Sequence, residues 1–138
     1  MTKMKGAIGL ILTAILINWA YEPLPPLIPR AEPVITARTQ ATMEEKRENR
    51  ELAKQYSRAL GYTQRERACL VTLWTRESRF DHLAKNRQGS SAYGIAQLLR
   101  ERSSRPEFQI LHGLRYIGHR YSGSACSALS FHNRKGWY

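Results

Sequence analysis

Acids are scarce in this chain. Only 11 of 138 residues are Asp or Glu, against 22 Lys or Arg, and the stretch from His82 to Arg100 holds neither acid. Chemistry that needs two carboxylates in one cleft has little to draw on there. No segment of useful length alternates apolar and polar residues, and no internal repeat is present, which argues against sheet and solenoid architectures. There are two cysteines, Cys69 and Cys126, and neither sits in a motif, so a catalytic thiol and a zinc knuckle are both disfavoured. Of the four histidines, His112 and His119 share a helix face seven residues apart with no third ligand between them. His82 and His132 stand alone. No metal ligands and no cofactor are expected, and the histidines read as surface residues or ligand contacts.

What is abundant is positive charge. The net charge is +11, and from Gly61 onward thirteen Lys and Arg face five Asp and Glu. Such a chain meets anionic partners: nucleic acid, anionic lipid, or a wall carrying peptide carboxylates. The arginines form no run and no aromatic-interleaved stacking motif accompanies them, so no specific nucleic acid is expected. A basic, membrane-anchored nucleic-acid binder is the alternative that charge alone supports.

The N-terminus reads as an export segment. A short cationic leader, Met1 to Lys5, precedes the hydrophobic stretch Gly6 to Tyr21. Asn18, Trp19 and Ala20 make a poor small-x-small cleavage site, which favours an uncleaved signal-anchor over residues 1–21. A core helix of a soluble fold is the alternative. Five prolines between Pro23 and Pro33 enforce extended chain, so 22–41 reads as a linker. Behind an export segment, Cys69 and Cys126 are expected to form a disulfide, with two buried thiols as the alternative.

The rest is predicted to be all-α, or α with minimal β. The capping box Thr42-Met-Glu-Glu45 starts a charged helix ending at Gly61, and its few apolar residues suggest a stalk over 42–61 that docks only by its last turns. A domain then occupies 62–138. A second box, Thr63-Gln-Arg-Glu66, opens a helix read through to Phe80. Ser78 to Ser91 is polar and irregular. A short helix is predicted over Tyr93 to Arg100. A start signal at Ser104 with Pro106 leads into the stripe Ile110, Leu114, Ile117, Tyr121, and a last helix runs from Ser124 to about His132.

Within the second of these helices Leu70, Leu73, Trp74 and Glu77 share one face. An acid on an apolar stripe is either paired with a cation such as Arg76 or Arg79, or held protonated by burial and available as a proton donor. Fifteen residues on lies Ala92-Tyr93-Gly94-Ile95-Ala96-Gln97. Glu77-Ser78, this box and the helix through Tyr116-Ile117 together resemble the lytic transglycosylase catalytic domain, which cleaves peptidoglycan on a lysozyme-like fold. Compact actinobacterial and phage versions also share the Leu73-to-Ser78 opening, the Tyr-Ile-x-x-Arg-Tyr pattern of Tyr116 to Tyr121, and the Cys-x-Ala…Gly-Trp-Tyr ending of Cys126 to Tyr138.

The resemblance covers roughly Glu66 to Tyr138 and implies roles for named residues. Glu77 becomes the single acid that later acts as base. Ser78, Tyr93, Gly94 and Gln97 line the sugar cleft. The family's Ala-Tyr-Asn box is broken here: Ala128-Leu129-Ser130 stands in its region, leaving Ser130 or Tyr138 to replace its tyrosine. Ile95-Ala96 in place of Leu-Met changes only pocket shape. The reaction implied needs one carboxylate, since the 6-hydroxyl of the substrate attacks the anomeric carbon and leaves a 1,6-anhydro end. A goose-type-lysozyme-like hydrolase is the runner-up, and a non-catalytic wall-binding or virion structural module is a further alternative. The expected partners are peptidoglycan and, through the N-terminal segment, a membrane; no protein partner is indicated. The expected location is a membrane anchor with the domain extracytoplasmic, or a phage virion.

Overall fold

The computed structural model describes residues 38–86 and 88–138. The expected anchor and all of the linker before residue 38 lie outside the described residues. Among the described residues there are four helices, α1 (Met43–Ala59), α2 (Gln64–Glu77), α3 (Pro106–Tyr121) and α4 (Ala125–Lys135), and one two-stranded antiparallel sheet, β1 (Ala92–Tyr93) with β2 (Leu98–Leu99). The body is helical with minimal β. No described helix is long and apolar enough to cross a membrane.

The core forms where the apolar stripes of three helices meet. Leu70, Leu73 and Trp74 of α2 face Ile110, Leu114 and Ile117 of α3 and Ala125 and Ala128 of α4, all buried. Each fully buried aliphatic side chain stabilises the body by about 1.5–3 kcal/mol. Gly113 lets α3 cross Trp74 closely, because a Cβ there would lie 2.6 Å from Trp74 Cζ2. The disulfide Cys69–Cys126 joins α2 to α4. Glu66 ties the same two helices: its carboxylate accepts from the Cys126 amide (2.9 Å) and the Ser124 hydroxyl (3.1 Å). An acid at the start of α4 suits that helix's dipole. The second capping box is therefore only half formed. Thr63 accepts from the Glu66 amide, and Glu66 itself serves α4.

The expected stalk is docked along its length. The capping box Thr42/Glu45 is complete. From that first turn on, α1 is tied to the body. Lys46 pairs with Asp81 (3.1 Å), Asn49 donates to the Phe80 carbonyl (2.9 Å), and Ala53 and Ser57 are fully buried. The sequence pattern concealed this because α1 buries small and polar residues, which count for little in an apolar stripe.

The helix predicted over Tyr93 to Arg100 is instead a hairpin pairing Ala92 with Leu99 and Tyr93 with Leu98. Its turn carries Gly94 (φ 77°) and Gln97 (φ 48°) in the left-handed region, which no α-helix accommodates. The turn thrusts the neighbours Ile95 and Ala96 together into the core, where they are buried. Adjacent residues on one side suit a plug better than a helix face.

Candidate active site

Glu77 is the last residue of α2. The helix stops there because Ser78 turns its hydroxyl onto the Ile95 carbonyl (2.7 Å), and because Arg79 (φ 56°) and Phe80 (φ 62°) both enter the left-handed region. Each costs on the order of 1–2 kcal/mol. Phe80 offsets this by complete burial edge-on to Trp74, with ring centroids 6.3 Å apart. The reversal leaves Glu77 on the wall of a cleft.

The cleft has two lobes, and both include Glu77 and Asn86 in their linings. One, of about 820 Å³, is cationic, with Arg38, Lys46, Arg76, Arg79 and Lys85. The other, of about 560 Å³, is aromatic and apolar, with Leu98, Leu99, Tyr116, Trp137 and Tyr138, plus Arg120. Trp137 is 52% exposed, an open ring for a ligand to stack on. It rests edge-on against Phe131 at 4.8 Å, and the Arg120 guanidinium lies 5.0 Å from its centre. Glu77 thus stands at the junction of a charged half and a stacking half.

Burial pushes the Glu77 carboxyl up to about 7. His132 of α4 faces it, with Nε2 3.1 Å from Glu77 Oε1, and both side chains are only about 15% exposed. The ring is set off the line of a hydrogen bond, so Oε1 has no hydrogen-bond partner among the described residues; separately, the other ring nitrogen of His132, the buried Nδ1, has none there either. His132 is itself held below its ordinary value by burial and by Arg76. Arg76 in turn reaches the side-chain oxygen of Asn133.

Among the described residues, Asp81 is the other carboxylate lining either lobe. It is committed elsewhere: buried, it accepts from the Ala41 and Leu83 amides (3.0 and 2.9 Å) and pairs with Lys46. It braces the loop and α1.

Protein-family models, curated proteins and solved structures give no match to this chain.

The remaining residues read from the sequence divide by their neighbours. Tyr93 lines the cationic lobe and is half-buried. Gln97 lines the aromatic lobe, but its amide nitrogen is spent on the Ala84 and Gly94 carbonyls (3.1 and 2.9 Å), holding the hairpin turn. Gly94 makes its close approach to Gln109 instead of a ligand: a Cβ there would sit 2.3 Å from that side chain. Tyr138 lies under the aromatic lobe. Its hydroxyl accepts from Trp74 Nε1 (2.9 Å) and donates to the Ala96 carbonyl (2.8 Å), and burial followed by the charge of Glu77 pushes it well up. Ser130 is set apart, exposed on α4 and accepting from Arg134, and it lines neither lobe.

Two site residues had little or no mark in the sequence pattern. Gln109, buried on α3, accepts from the Ile95 amide and donates to the His82 and Ser103 carbonyls, clamping three loops. His132 did leave a signal: with Ala125 and Ala128 it completes an i, i+3, i+7 stripe, both alanines being fully buried.

Proposed function

We propose that the body is a compact lysozyme-like domain of the lytic transglycosylase kind. It cleaves the β-1,4 bond between N-acetylmuramic acid and N-acetylglucosamine, with Glu77 as its one acid and base. The observation that carries this reading is a carboxyl raised to about 7 at the junction of two cleft lobes, while Asp81 is tied down as a brace. A general acid must hold its proton near neutral pH, and burial provides that.

In the proposed reaction, Glu77 gives its proton to the glycosidic oxygen as the bond to the anomeric carbon breaks. The 6-hydroxyl oxygen of the same sugar bonds to that carbon, and its proton passes to Glu77. The acid is restored, no water is consumed, and the products are a 1,6-anhydro end and a free 4-hydroxyl. A hydrolase needs a second carboxylate about 5–5.5 Å or 6.5–9.5 Å away, and the occupied Asp81 argues against one. Trp137 offers a face for a sugar ring, and the cationic lobe suits the carboxylates of stem peptides. The same residues suit a wall-remodelling enzyme and a phage lysis or penetration protein, with peptidoglycan as partner and the N-terminal segment as membrane anchor.

The test is mass spectrometry of purified peptidoglycan after incubation with the full-length protein. Anhydro-ended fragments are expected. Reducing ends, heavier by one water, would make it a lysozyme. Bound wall with no released fragment would make it a non-catalytic module.

A further inference from the structure

The contact between Glu77 and His132 has no counterpart among the roles implied by the resemblance, and it brings His132 Nε2 up to a buried carboxyl oxygen that has no hydrogen-bond partner among the described residues. His132 comes from α4 and Glu77 from the end of α2, the two helices joined by Cys69–Cys126 and by Glu66. The pair is therefore held by elements fixed to each other, not by a mobile loop. Nε2 stands 3.1 Å from Oε1. Only alignment is wanting, and the second side-chain torsion of a histidine is broad enough to supply it. Burying Glu77 Oε1 without a hydrogen-bond partner among the described residues carries a cost. That cost points to an interaction completed during function.

We infer that His132 is the positioning partner of Glu77: its Nε2 aims the carboxyl at the junction of the two lobes and hydrogen-bonds the carboxylate formed when the proton leaves. The inference rests on the proposed role of Glu77. As Glu77 protonates the glycosidic oxygen, negative charge develops on a carboxylate that burial disfavours. An N–H on Nε2 stabilises it there, and when the 6-hydroxyl proton arrives Glu77 is neutral again. His132 begins and ends neutral, so protons balance. The groups around the pair agree with this assignment. Arg76 on α2 opposes a charge on the ring, and Tyr138, whose main-chain oxygen accepts from Tyr116 of α3 (3.1 Å), has its hydroxyl saturated by Trp74 and Ala96. The proton accordingly stays on Glu77, where an acid needs it.

The experiment compares full-length wild type, His132→Ala, His132→Gln and Glu77→Gln. His132→Ala is expected to lower kcat about ten- to hundredfold with KM changed less than about twofold. His132→Gln, whose amide nitrogen can occupy nearly the same place, is expected to recover most of that loss. A change confined to KM, or no change, overturns the inference. A second readout needs no substrate: the ring ¹⁵N shifts of His132, followed by NMR from pH 5 to 9. They are expected to inflect as Glu77 titrates and to lose that inflection in Glu77→Gln. Identical profiles in the two proteins overturn the pairing. The two failures are distinct: full turnover by Glu77→Gln removes the reading of Glu77 itself, whereas a dead Glu77→Gln beside an unaffected His132→Ala removes only the partner.

Discussion

Glu77 couples activity and stability to pH in opposite senses to an ordinary surface acid. In the proposed role of general acid it works protonated, so kcat/KM is expected to fall as pH rises through about 7. Its folded value lies above the ordinary 4.5, so the folded protein holds a proton that the unfolded chain has released between those two values. Stability from this group therefore declines as pH rises through that window, and above it the buried charge remains a cost. Glu77→Gln removes the charge and keeps the shape. It is expected to lose nearly all turnover yet exceed wild type in stability at pH 8 by about 1–2 kcal/mol, a figure reduced for the open side of the cleft. Urea melts at pH 4 and pH 8 check this, with the gap closing at the lower pH. Gly94→Ala is a different case: φ of +77° and a clash with Gln109 predict a loss of about 2–4 kcal/mol, read by the same melts. Both are residue effects, but only the first touches chemistry.

At the scale of elements, the site depends on α2 and α4 staying together. Cys69 and Cys126 are 57 residues apart, and closing a loop of that size is worth about 4 kcal/mol by the chain-entropy estimate. Replacing both with serine is expected to lower the melting temperature by more than 10 °C in a body of about 100 residues, measured by circular dichroism. Asp81→Ala removes the brace between α1 and the loop and is expected to cost about 2–4 kcal/mol. The same elements show what the sequence disclosed. Glu77 was legible because large apolar residues flank it at helical spacing, and α1 to α4 were legible from caps, proline and stripes. The hairpin was not, since Tyr93 to Arg100 has apolar residues in a helix-like grouping and its left-handed turn is held by hydrogen bonds from the Gln97 side-chain amide to the Gly94 carbonyl and to that of Ala84, thirteen residues earlier. The docking of α1 was hidden because Asn49, Ala53 and Ser57 signal nothing until their partners are known. His132 lies 55 positions from Glu77, so its role appears only once α4 is laid on α2.

For the molecule as a whole, the surplus of cations favours anionic partners. With a net charge of +11, binding to an anionic wall is expected to weaken steadily as NaCl rises from 50 to 500 mM, in pull-down assays with insoluble peptidoglycan. Glu77→Gln is expected to follow the same salt curve, because in the proposed role the acid spends its proton on the bond and contributes little to holding the polymer. A salt-independent association would instead assign binding to the aromatic lobe.

The bridge between α2 and α4 also bears on timing. A net stability of 5–15 kcal/mol is usual for a domain, and here about 4 kcal/mol of it comes from one oxidation event. A chain still in a thiol-rich compartment lacks that share, and with it the firm seating of His132 against Glu77. On the proposed function, competence to cut would then arrive together with oxidation, and the maturing bond would act as a clock started by passage into an oxidising compartment.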